Sequence, residues 1–169
     1  MRFLLYNVRY CTGAGPGFHL PFPGSGYLRR TTRNLGHITR FLLAHKPDIV
    51  GLLEVDGGSF RSRRVNQAEA LGRALGHFRC YGTKYGIRSL VQAVPVMNKQ
   101  INAFLTRDSV HAEHFHYFDR GIKRLAIELE LEDVTLFLVH LSLRFQHRHQ
   151  QLQQLSRLVR QVRKPCIVA

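Results

Sequence analysis

The sequence predicts one mixed α/β domain in which helices pack on buried strands. Strand-length apolar runs alternate along the chain with stretches of helical periodicity. The 169 residues, 19.5 kDa, are enough to bury roughly two thirds of the unfolded surface in a core. A hydrophobic content of 44% against 21% charged, with 14 Gly and 6 Pro, is that of an ordinary globular protein and excludes whole-chain disorder.

Residues 2–8 form the first apolar run of strand length, with Asn7 near its end. From Cys11 to Tyr27 the chain carries Gly13, Gly15, Gly17, Gly24 and Gly26 with Pro16, Pro21 and Pro23, a composition of surface loops. Thr31 or Thr32 caps a helix whose apolar positions Leu35, Ile38 and Leu42 share one face, and Pro47 closes it. Residues 48–55 are almost continuously apolar, the mark of a strand buried on both faces, and Glu54 sits at its far end. Asn66 opens a second helix through Ala68, Leu71 and Leu75, with Gly76 as its stop.

The middle of the chain is less strongly patterned. Residues 78–81 and 102–106 are strand candidates, and Pro95 cannot stand at a strand centre. Residues 122–131 and 134–143 read as an antiparallel hairpin turning at Glu132-Asp133. A third helix spans 146–163, its stripe made by Leu152, Leu155, Val159 and Val162, with Arg157, Arg160 and Lys164 pointing largely away. Residues 165–169 look like the opening of another buried strand with no turn after it. No internal repeat or linker divides the chain.

Charge narrows the partners. Lys and Arg number 25 against 11 Asp and Glu, a net charge of +14, and the pI is about 10.7. Such a field favours nucleic acid, phosphorylated substrates or acidic lipid headgroups, without choosing among them. Cys11, Cys80 and Cys166 form no C-x-x-C pair, so neither a disulfide framework nor a thiolate zinc site is indicated. With no apolar run near the ~18 residues of a membrane span and no signal-peptide core, a soluble cytoplasmic protein is expected.

Three strand candidates end in residues able to hold a metal, a phosphate or a proton: Asn7, Glu54 and His140. Ligands gather in layered α/β folds where strands give way to loops, so these three can converge. Glu54 offers the hard oxygen that anchors Mg²⁺, which takes one or two carboxylates and fills its octahedron with water and phosphate. His140 can hydrogen-bond a phosphate or carry a proton near neutral pH. Each has a plainer explanation alone: an ion-paired carboxylate for Glu54, a turn for Asn7, a satisfied core histidine for His140. The H-x-x-H-x-H histidines 111, 114 and 116 are expected on a loop, not as a metal cluster.

The order of motifs resembles the N-terminal two thirds of the endonuclease/exonuclease/phosphatase superfamily, the deoxyribonuclease I-like metal-dependent phosphoesterases. The resemblance rests on Tyr6-Asn7, on Pro47 through Glu54, on Asn102 to Thr106 where the family tends to read N-A-I-L-S, on Val139-His140-Leu141, and on Arg148-His149-Gln150-Gln151, similar to an R-x-x-Q helix start. Mild departures are Tyr6 in place of Trp, Leu53 in place of Gln, and Ile101 in place of Gly. The family's G-D-x-N motif and closing D-H pair come later than Ala169.

The resemblance implies a partial four-layer α/β/β/α sandwich. It implies a catalytic set of Asn7, Glu54 and His140, with Glu54 and Asn7 at a Mg²⁺ or Mn²⁺ ion and Asn102 and Arg148 contacting phosphate. The implied reaction is attack of a metal-activated water on a phosphodiester or phosphomonoester. Nucleic acid is favoured over phospholipid as substrate, a sphingomyelinase-like hydrolase being the alternative within the family. The isolated chain is expected to be marginally stable and catalytically inactive. The competing reading is a non-catalytic basic module binding nucleic acid or acidic surfaces through Arg29, Arg30, Arg33, Arg61, Arg63 and Arg64.

Overall fold

The computed structural model describes residues 1–13, 31–85 and 95–169. The described elements follow in the order β1 (Phe3–Asn7), α1 (Thr32–His45), β2 (Ile49–Asp56), α2 (Gln67–Leu75), β3 (Phe78–Thr83), β4 (Gln100–Thr106), β5 (Ala112–Tyr117), β6 (Leu125–Glu130), β7 (Thr135–Val139), α3 (Phe145–Gln161) and β8 (Cys166–Val168). They build two sheets, ordered β1-β2-β4-β3 and β5-β6-β7-β8. The β1/β2 and β7/β8 pairs are parallel and the rest antiparallel.

Four layers follow from how the apolar residues alternate. On β2 and β4, Val50, Leu52, Ile101, Ala103 and Leu105 face α1 and α2, which contribute Ile38, Leu42, Ala68 and Leu71. The opposite faces bring Ile49, Leu53 and Phe104 against Leu125, Ile127, Leu129, Leu136 and Leu138 of the second sheet. Ala126 and Phe137, on the outer face of that sheet, are covered by α3 through Leu155. The result is an α/β/β/α sandwich, and β2 is buried on both faces as its unbroken apolar run requires.

Local signals explain most boundaries. The Asn66 side chain accepts hydrogen bonds from the Ala68 and Glu69 N–H groups, and Gly76 ends α2 with φ +68°. Thr31 occupies the N-cap of α1 without capping it; its buried hydroxyl accepts instead from Gln67 Nε2 at 3.2 Å, tying α1 to α2. The 131–134 hairpin closes with Leu131 N–H donating to the Val134 carbonyl at 3.0 Å.

Two expectations are corrected. His114 and His116 lie on a strand, β5, and not on a loop. Only Phe115 and Tyr117 face the core there, so the alternation is too short to stand out in sequence. Arg61 is 4% exposed and so is not part of a basic surface. The Gly/Pro-rich loop lies mostly outside the described residues, as do Arg29 and Arg30. No helix among the described residues is long and apolar enough to cross a membrane.

Candidate active site

Glu54 stands on a break in β2. The β2/β4 register runs through Leu52 opposite Ala103 and resumes with Val55 opposite Ile101, so Leu53 and Glu54 bulge opposite Asn102. The bulge places Glu54 at φ +56°, a left-handed backbone that costs a non-glycine residue roughly 1–2 kcal/mol. It also frees the Glu54 N–H from the ladder, and the buried Asn102 side chain accepts it at 3.3 Å. The sequence thus maintains strain to turn a carboxylate out of the sheet at the end of the sandwich, as strained residues at functional sites do.

The second sheet meets this carboxylate with a lysine and a histidine. Lys123, in the turn before β6, reaches Glu54 Oε1 at 3.4 Å and His140 Nε2 at 2.5 Å; His140, just after β7, stands 3.8 Å from Glu54. Burial first, then the charges of Lys123 and Lys84, hold the His140 pKa well below the usual histidine value. The ring is therefore neutral, accepts from the ammonium at Nε2 and carries its proton on Nδ1. That buried nitrogen has no hydrogen-bond partner among the described residues.

Gln151 holds both flanking turns. Fully buried, it donates from Nε2 to the Arg120 and Lys123 carbonyls at 2.8 and 2.7 Å and accepts the Ser142 N–H at 2.8 Å. A Cβ on Gly121, φ +98°, would lie 2.7 Å from that amide, which is why the turn needs glycine.

Beneath Glu54 lies a buried polar layer. Lys84, 1% exposed and just past β3, donates to Tyr10 Oη at 2.9 Å; Tyr10 and Tyr85 both donate to Gln100 Oε1, at 2.7 and 2.9 Å. Desolvation pushes the Lys84 ammonium down to about 7 against the opposing pull of Glu54, and burial likewise raises both phenols. The Arg61 guanidinium sits 4.4 Å over the Tyr10 ring and pairs with buried Asp56 at 2.6 Å. Asp56 also accepts from the Gly58 and Ser59 N–H groups and the Ser59 and Ser62 hydroxyls.

The structure therefore brings Glu54, Asn102 and His140 together. Asn7, exposed at the end of β1, pairs with Leu53 beside the bulge, and its side chain accepts the Arg9 N–H at 3.0 Å. Arg148 donates to the Leu143 and Ser142 carbonyls at 3.0 and 3.4 Å, bracing the turn before α3; no contact among the described residues joins it to Glu54, His140 or Asn102. Sequence reasoning missed Lys84 and Lys123. The strand-end rule that selects Glu54 and His140 selects Lys84 too once β3 is carried to Thr83, two residues past Tyr81.

No family profile and no curated protein matches the chain. Solved structures do. It is similar to a mannosyl-6-phosphatase from Bacteroides thetaiotaomicron, at 15% identity and TM-score 0.66 over 99% of this chain and 63% of that one. An endonuclease/exonuclease/phosphatase family protein from Leptotrichia buccalis matches at 16% identity and TM-score 0.64, covering 99% and 66%. The 3′ phosphatase NExo from Neisseria, bound to a product DNA hairpin, matches at 17% identity and TM-score 0.53, covering 79% and 49%. The chain has the deoxyribonuclease I-like fold of the endonuclease/exonuclease/phosphatase superfamily, whose solved relatives here are phosphoesterases. It spans no more than 66% of these three structures.

Proposed function

We propose that this chain supplies the Glu54 side of a Mg²⁺- or Mn²⁺-dependent phosphoesterase site. The observation that carries the reading is the Glu54 carboxylate, turned out on a strained bulge pinned by Asn102, with Lys123 and His140 facing it from the other sheet. The donor set fits a magnesium-type ion held by one protein carboxylate. Among the described residues no three His, Cys, Asp or Glu side chains gather to hold a metal. Mg²⁺ is commonly held by one or two carboxylates with water and substrate phosphate completing its shell, and Glu54 is such a hard ligand.

Glu54 would hold the ion, with Asn7 beside it at the end of β1. When bound, the ion supplies Lewis-acid polarisation of the phosphoryl group and a more acidic water. The chain's own residues do the rest. Asn102 fixes the Glu54 backbone, Lys123 neutralises phosphoryl oxygens, and His140, neutral and ringed by cations, is placed to hydrogen-bond the scissile phosphate. The +14 charge and a fold neighbour solved with DNA support a phosphate ester of nucleic acid as substrate. Arg148, at the head of α3, lies where a longer substrate could pass.

The test is hydrolysis of p-nitrophenyl phosphate and its bis ester by the native protein with and without Mg²⁺. Activity that needs the metal and disappears in Glu54→Ala is expected; activity unchanged in Glu54→Ala would overturn the reading.

A further inference from the structure

The lysine beneath Glu54 has no use in the scheme above. Lys84 is 1% exposed and makes one hydrogen bond, to the neutral Tyr10 hydroxyl at 2.9 Å, which leaves two of its three N–H donors open. A buried ammonium is retained where an anion compensates it. The remaining acidic residues do not supply that anion. All 11 lie among the described residues, since segments 14–30 and 86–94 contain no Asp or Glu. Asp56 is held by Arg61, Asp48 by Arg107, Glu69 by Arg73, Glu128 by His116 and Glu130 by Lys164.

Glu54 is the carboxylate whose charge reaches Lys84, and Lys123 already pairs with it at 3.4 Å. Two ammonium groups, one from each sheet, thus share a single carboxylate, and the neutral His140 between them adds no negative charge. The site carries an excess positive charge aimed at whatever occupies it.

We propose that Lys84 and Lys123 form a two-lysine clamp that selects the dianionic phosphate of a phosphomonoester over the monoanionic phosphate of a diester. A monoester brings a third terminal oxygen and a second negative charge, which the open Lys84 donors and Lys123 can take up together; a diester leaves one ammonium uncompensated. The clamp rests on the reading of this end of the sandwich as a phosphoester site, and deepens it by naming the substrate class.

Metal-free binding separates the two claims. Methyl phosphate and dimethyl phosphate are titrated into the whole chain at pH 7 and constant ionic strength, followed by ¹⁵N-resolved shifts of residues around Glu54. The expected result is about tenfold tighter binding of the monoester, with the ratio falling to about twofold in Lys84→Met and also in the partly exposed Lys123→Gln. Equal affinities in the wild type, or a ratio that survives both substitutions, overturn the clamp even where hydrolysis depends on Glu54. A selective clamp in a protein without Glu54-dependent hydrolysis retains the clamp and refutes the enzyme.

A hexose 6-phosphate and an oligonucleotide with a 3′-phosphate, each against its unphosphorylated form, locate the source of the group. A gain in both or in the sugar alone supports recognition of the phosphate. A gain confined to the oligonucleotide overturns it, because the contacts then belong to the nucleic acid chain.

Discussion

Asn102 shows how one side chain can maintain a site. Its amide oxygen accepts the N–H that the bulge strips from the β-ladder, and both groups are shielded from water. Asn102→Ala should cost about 1–3 kcal/mol in denaturant unfolding, because the Glu54 N–H is left without a partner. Asn102→Asp keeps an acceptor and should recover most of that loss. Lys84 contributes in the opposite sense. Its folded pKa of about 7 lies below the ordinary value of 10.5, so the folded state disfavours the ammonium. The cost is full below pH 7 and fades as pH rises through 7 towards 10.5, where the folded chain has lost a proton that the unfolded chain still holds. Lys84→Met should therefore raise the melting temperature at pH 6 more than at pH 10; an equal gain at both would show that the ammonium is not penalised.

Elements carry these residues to one end of the sandwich. Gln151, the last residue of the R-x-x-Q start recognisable in the sequence, braces the turns bearing Lys123 and His140 from the first half of α3. Gln151→Leu should cost about 2–4 kcal/mol, as three buried backbone groups lose their partners, and should shift the Lys123 and His140 resonances even where the fold survives. The loop after β2 depends on Asp56 in the same way. Asp56→Ala would strand the buried Arg61 guanidinium and should destabilise by about 3–5 kcal/mol.

Much of this was legible in sequence. The buried β2, the Asn66 cap, the Gly76 stop and the β6/β7 hairpin follow from apolar period and turn chemistry. The β5 edge strand was not, because histidines occupy the outward positions that apolar residues would mark. Within the site, Glu54, Asn102 and His140 follow from motif order. Lys84 and Lys123 do not, since among 25 basic residues nothing local distinguishes the one that folding buries.

Across the whole molecule, the two sheets bring together charges that are far apart in sequence. Glu54 comes from one sheet and Lys123 and His140 from the other, so the site exists only while both sheets stay packed. The +14 charge acts at a longer range and separately. Affinity for an oligonucleotide should fall steeply with salt, by about 10³ or more between 50 and 200 mM if six or more phosphates are engaged. Glu54→Gln should leave that slope unchanged, whereas a basic module with no metal chemistry would show the slope and nothing else.

The most direct measurement is a Mn²⁺ titration of the 169-residue chain and its Glu54→Gln variant, read by paramagnetic broadening of backbone amide signals. Broadening centred on Glu54, Asn102 and His140, lost in the variant and reversed by excess Mg²⁺, is the predicted result. Broadening that lies elsewhere, or persists without the Glu54 carboxylate, would contradict the assignment of this end of the sandwich as a metal-dependent phosphoester site.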